Sequence, residues 1–147
     1  MKAPIEIAKS LRPALRETKA VVGFVGAQAF LVYYMDPVTA IECETGLTDR
    51  RIASRVLSER GRVGHEKTAP YEYLLERNVS FLMKPPPPER NFGFNVMRID
   101  GFLGDFEIVR YIPNVMDVLA KDPRIHFMNA SELRMQGREK LNQYWVR

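Results

Sequence analysis

The apolar positions fall into short blocks whose spacing switches between helical and extended. Ile5, Ala8 and Leu11 recur at the spacing of one helix face, so a short amphipathic helix is expected over residues 4–11, ended by Pro13. The polar stretch 12–19 then reads as a connector. Residues 20–35, AVVGFVGAQAFLVYYM, carry no charge. Within them VVGFV is β-branched and aromatic, which suits a buried strand over 20–25. AQAFLVYYM suits a buried helix over 27–35, reached through a tight turn at Gly26. A membrane-spanning helix needs roughly 20 apolar residues; this run is shorter, and Gly23 and Gly26 interrupt it. The residues ahead of it include Glu6 and Glu17, too many and too acidic for the head of a secretory signal. The chain as given is therefore expected to be soluble.

Asp36-Pro37 breaks the pattern, and residues 39–43 read as a second buried strand. Strand, helix and strand in so short a stretch predict a βαβ unit with a parallel pair. A loop over 44–48 leads to a helix capped by Asp49, with Ile52, Ala53, Val56 and Leu57 as its apolar stripe. After an irregular polar segment, 61–68, Thr68 as N-cap and Pro70 in the first turn open another helix that runs to Arg77. Asn78 hands over to a strand at 79–83. Four consecutive prolines, 85–88, form a stiff spacer. Two strands, 91–99 and 106–112, are joined by a glycine-containing hairpin loop. Pro113 starts a short helix to Lys121, 124–128 is a last strand, and 131–144 a closing helix. This order predicts a single α/β domain over 1–147. Its expected form is a three-layer Rossmann-like sandwich with a mixed, mainly parallel sheet and a β-hairpin in the second half.

Composition narrows the chemistry. With 147 residues, 46% of them hydrophobic, the chain can bury a core without a disulfide or metal staple. The single cysteine, Cys43, excludes an internal disulfide and any cysteine-based zinc site, and in a buried strand its thiol is inert. A net charge of +4 permits nucleic-acid binding without implying it. Tyr33, Tyr34, Tyr71 and Tyr73 stand at helical positions among apolar residues, so core or half-buried roles are expected rather than base stacking, and no nucleic-acid partner is inferred. No G-x-G-x-x-G fingerprint, phosphate-loop lysine, G-x-S-x-G elbow or HExxH pattern is present, so neither a cofactor nor a metal is indicated. Asp49, Asp100 and Asp105 flank turns and read as caps.

Charge is segregated along the chain. Residues 49–67 carry six Lys/Arg (Arg50, Arg51, Arg55, Arg60, Arg62, Lys67) against Asp49, Glu59 and Glu66, a local +3, whereas 20–48 carry three acids and no cation. An arginine-rich loop at the end of a sheet suits phosphate or carboxylate, because guanidinium offers a planar bidentate fork. Asp49, Arg50, Arg62, His65, Glu66 and Lys67 are the candidate ligand-binding residues. His65 beside Glu66 offers an alternative acid/base pair, in which case the chain would be a free-standing enzyme acting on a phosphorylated small molecule. No other catalytic residue stands out.

Two segments carry a resemblance. GLTDRRIA (46–53) followed by GRVGHEKTAPYEYLLERNVSFL (61–82) resembles the soluble region after the last membrane helices of bacterial polytopic glycosyltransferases, the polyprenyl-phosphate-sugar-using arabinosyl- and mannosyltransferase-like proteins. It covers residues 4–83 well and the remainder loosely. The resemblance implies an extracytoplasmic domain packed on or near a membrane-embedded catalytic region, which would be its partner. The sugar-transfer acids of such proteins lie in the membrane region, so no catalytic residue carries over. Where the pattern favours glycine, Asn78 stands instead, and asparagine suits the same left-handed, helix-ending position. With its own Met1 and no spanning segment, the chain is expected to be an excised domain or a lone relative. The leading expectation is a non-catalytic accessory domain that binds an anionic or glycan ligand or docks on a membrane partner. A third expectation, besides the enzyme, is an interaction module that forms a homodimer through the edge of the 92–112 hairpin.

Overall fold

The first helix runs well past the point where its sequence suggests a stop. The computed structural model describes residues 2–59, 61, 67–84, 95–102 and 104–129, and in it helix α1 spans Lys2–Thr18 with Pro13 inside. An interior proline costs about 3 kcal/mol, chiefly through a lost backbone hydrogen bond and a clash with the preceding turn. Here Pro13 lies on the exposed side, while Ala8, Leu11 and Leu15 are buried on the other. That stripe holds both halves of the helix against the sheet, and Arg16 ties its end to Asp36 at 2.9 Å. Packing outweighs the proline, and the expected connector over 12–19 is helical to Thr18.

Strand β1 (Val21–Phe24) is followed by a 3-10 turn (Gly26–Gln28), helix α2 (Ala29–Met35) and strand β2 (Thr39–Glu42). The two strands pair in parallel, so the βαβ unit is present. Helix α3 (Arg50–Ala53) and helix α4 (Tyr71–Glu76) lead to strand β3 (Val79–Leu82), which pairs in parallel with β1 on its other side. Strand β4 (Val96–Ile99), strand β5 (Asp105–Ile108), helix α5 (Pro113–Leu119) and strand β6 (Ile125–Met128) complete the described chain.

The strand order is β2-β1-β3-β5-β4-β6. Moving from β2 past β1 to β3 reverses the winding direction. Same-handed crossovers then place their helices on opposite faces. Accordingly α1, α2 and α5 cover one face, with Val22, Phe81 and Phe106 in the shared core. Ile52 of α3 and Tyr73 and Leu74 of α4 cover the other, against Ile41, Val79 and Leu82. The result is a three-layer α/β sandwich. Its sheet is mixed: parallel through β2, β1 and β3, antiparallel through β5, β4 and β6.

Three local expectations need correction. Helix α3 ends at Ala53, and Val56, expected in its apolar stripe, is 94% exposed. Lys67 donates to the Ala53 carbonyl, so that helix end is closed by a side chain. Helix α4 is capped by Pro70, not Thr68, because the Ala69 amide bonds the Cys43 carbonyl at 2.8 Å and keeps the chain extended to that point. Among the described residues the hairpin has no free edge: β5 lies between β3 and β4, and β4 between β5 and β6. The strand edges expected to meet a second copy are therefore occupied by pairing within the sheet. The proline spacer at 85–88 and the closing helix at 131–144 lie outside the described residues.

Candidate ligand-binding rim

The loop that leaves β2 starts from a buried carboxylate. Glu42 accepts the amides of Glu44 (2.9 Å), Thr45 (3.0 Å) and Gly46 (3.1 Å), and the Thr45 hydroxyl at 2.7 Å. Burial alone would raise its pKa; the Thr45 hydroxyl and the amides of Glu44, Thr45 and Gly46 outweigh it and hold the carboxyl below its ordinary value. Gly46 sits at φ +73°, and a Cβ there would meet the Ala53 backbone at 2.8 Å. Only glycine combines that backbone angle with such close approach to α3. The loop is thus folded tightly enough to deliver Asp49 to one fixed place.

Asp49 is the N-cap the sequence predicts. Its Oδ1 accepts the amides of Arg51 and Ile52, both at 3.0 Å. Its Oδ2 accepts the Tyr73 hydroxyl at 2.6 Å and an Arg77 N–H at 3.0 Å. Burial again works against the charged form, but the Tyr73 hydroxyl, the two amides and the Arg77 guanidinium lower the Asp49 pKa overall. The Tyr73 hydroxyl shifts the other way, raised first by burial and then by its bond to the Asp49 carboxylate. The Tyr73 ring is clasped by two guanidinium groups, Arg51 at 4.7 Å and Arg77 at 5.5 Å from its centroid. Arg51 also grips Glu76.

These groups line a shallow depression of about 420 Å³ that Arg50 and Ser54 complete. Arg51 and Arg77 are balanced by Glu76 and Asp49, so the depression keeps one surplus positive charge, on Arg50. Among the described residues, Arg50 is the one cation of the 49–67 segment without a partner in the chain. Arg55 donates to the Thr68 carbonyl and Lys67 to that of Ala53. Of the six sequence-picked residues, the structure brings Asp49 and Arg50 together and places Lys67 behind them at the end of α3. Arg62, His65 and Glu66, including the alternative acid/base pair, lie outside the described residues, as does Arg60.

Sequence reasoning left out Tyr73, Glu76 and Arg77, which α4 supplies from one face. Their spacing of three and four residues is the signal that could have found them. Cys43, next to Glu42, is buried, and that burial pushes its thiol up to about 12, which removes it as a nucleophile. Comparison with family models, with curated proteins and with solved structures gives no match.

Proposed function

We propose that the chain is a non-catalytic accessory domain whose rim receives an anionic group, such as the phosphate of a sugar phosphate or of a polyprenyl phosphate. The observation that carries this reading is the unpartnered Arg50 set beside two guanidinium groups already fixed by Tyr73, Asp49 and Glu76. Arg51 and Arg77 each use only part of their five N–H donors on these partners, and their side chains are 61% and 42% exposed. A guanidinium held in place loses less side-chain freedom when it meets an oxyanion than a free one does. The rim offers recognition without reaction: Asp49 has both oxygens engaged, and the Tyr73 hydroxyl is buried and raised in pKa.

The motif resemblance supports the same reading. It adds an extracytoplasmic setting beside a membrane-embedded glycosyltransferase region as the proposed partner and place. Among the described residues no helix is long and apolar enough to cross a membrane, so any membrane association of this part would run through its surface.

Calorimetric titration of glucose 1-phosphate, a short polyprenyl phosphate in neutral micelles and a neutral glycan tests the reading. Wild type, Arg50→Ala and the double variant Arg62→Ala/His65→Ala are compared. The expected outcome is binding of the two phosphates, weakened about tenfold or more by Arg50→Ala, since a charge-assisted hydrogen bond contributes about 1.5–3 kcal/mol. No phosphate binding, or equal affinity in all three proteins with the fold intact, would leave the rim a structural element.

A further inference from the structure

On the opposite face of the sheet, α1, α2 and the outer strand β2 enclose a cleft of about 700 Å³. Small-molecule sites usually measure about 300–1,000 Å³. Phe24, Val32, Tyr33, Tyr34 and Ala40 give the cleft an apolar lining. The rings of Tyr33 and Tyr34 meet edge to face at 5.4 Å, and Tyr33 is 76% exposed. An open ring carried on a helix is a stacking platform that gives up little conformational freedom on binding.

The charges around this lining do not cancel. Lys9, Arg12 and Asp36 border the cleft; Lys9 pairs with Glu6 at 2.9 Å, and Arg16 reaches Asp36 at 2.9 Å. Among the described residues, three cations thus face two carboxylates, and one positive charge is left over. The distances assign it to Arg12. Arg16 holds the Asp36 Oδ2 through Nη2 at 2.9 Å and Nε at 3.2 Å. Arg12 lies 3.5 Å from that oxygen and 3.4 Å from the Tyr34 carbonyl, both at the outer limit of a hydrogen bond, and its side chain is 46% exposed. Its planar fork is free to take a carboxylate. A neutral ligand would leave that charge unanswered, and a small inorganic anion would leave the rings unused. A flat apolar body that carries one carboxylate meets both.

We infer that the cleft between α1, α2 and β2 binds an aryl carboxylate, its ring against Tyr33 and its carboxylate on the Arg12 guanidinium. The site lies across the sheet from the Arg50 rim and stands whether or not that rim binds anything.

The test is titration of 2-naphthoate, its neutral counterpart 2-naphthalenemethanol, and acetate into the isotopically labelled full chain, followed by amide shifts. Naphthoate is expected to give saturable shifts at Tyr33, Tyr34 and Ala40, unchanged by saturating inorganic phosphate. The alcohol and acetate should each bind at least about tenfold more weakly, since each lacks one half of the match. Arg12→Gln should weaken naphthoate about tenfold and Tyr33→Ala about fivefold. Asp36→Asn should act in the opposite sense and tighten it about threefold, the scale of one exposed charge interaction. Asparagine keeps the left-handed backbone that Asp36 adopts at φ +46°, so this variant leaves the turn intact. Wild type that ignores naphthoate overturns the proposal. So does equal affinity for the acid and the alcohol, or an Asp36→Asn variant that binds no better. Pelleting with phosphatidylglycerol vesicles through Arg12 and Tyr33, without naphthoate binding, would overturn it in favour of a lipid surface.

Discussion

Glu42 and Asp49 bracket the rim loop, and each commits both carboxylate oxygens to holding its own chain in place. Glu42 is buried among four donors, so its charged form is favoured by the amides although burial opposes it. Asp49 joins the start of α3 to the hydroxyl of Tyr73 on α4. Both carboxyls have folded-state pKa values below their ordinary ones, so the folded state binds protons less readily than the unfolded one. Their stabilisation is complete above about pH 5 and is lost as the pH falls through about 4 and below. Glu42→Gln keeps the size and one acceptor but loses the charge, and should cost about 2 kcal/mol at pH 7. Denaturation measured from pH 7 to pH 3 should show the gap between wild type and Glu42→Gln closing in acid, as the wild-type carboxyl takes up its own proton. Parallel curves would mean that Glu42 contributes packing and no charge.

The elements show where local rules decide and where packing overrides them. Gly46 is a case of decision: its positive φ and the 2.8 Å approach to the Ala53 backbone leave no room for a methyl group. Gly46→Ala should therefore destabilise by about 2 kcal/mol or more, read as a melting temperature roughly 5–10 °C lower. An unchanged melting point would mean that the loop can relax away from α3. Pro13 is a case of override, since Leu11 and Leu15 anchor the turns on either side of it. The strands and most helices were legible because each carries an apolar block of the right period. Asn78 at φ +53° likewise occupies the left-handed position its sequence suggests. The early end of α3 and the late start of α4 were not legible. They depend on the Lys67 side chain reaching Ala53 and on the Ala69 amide bonding Cys43, contacts that no local window contains. In the same way Asp49 reads as a cap from its neighbours alone, whereas its bonds to Tyr73 and Arg77 span more than 20 residues of chain.

At the scale of the whole molecule, the reversal of winding at β1 places two different surfaces on opposite faces of one sheet. The face covered by α3 and α4 carries the rim with its single surplus charge. The face covered by α1 and α2 carries a cleft lined by Phe24, Tyr33 and Tyr34, where Arg12 and Arg16 share the Asp36 carboxylate. The local +3 counted along residues 49–67 therefore overstates the charge open to a ligand, because the fold brings Glu76 to Arg51 and carbonyls to Arg55 and Lys67. Among the described residues the cation left for the proposed anion is Arg50, and the most direct measurement observes its guanidinium. In 1H–15N spectra of the arginine Nε groups, added glucose 1-phosphate should move Arg50 first and furthest. Smaller shifts should follow at Arg51 and Arg77, and Arg98 and Arg124 should stay unmoved in their pairs with Asp105 and Asp122. A spectrum in which Arg50 stays still while phosphate is raised to saturation of any other arginine would contradict the assignment of this rim as an anion site.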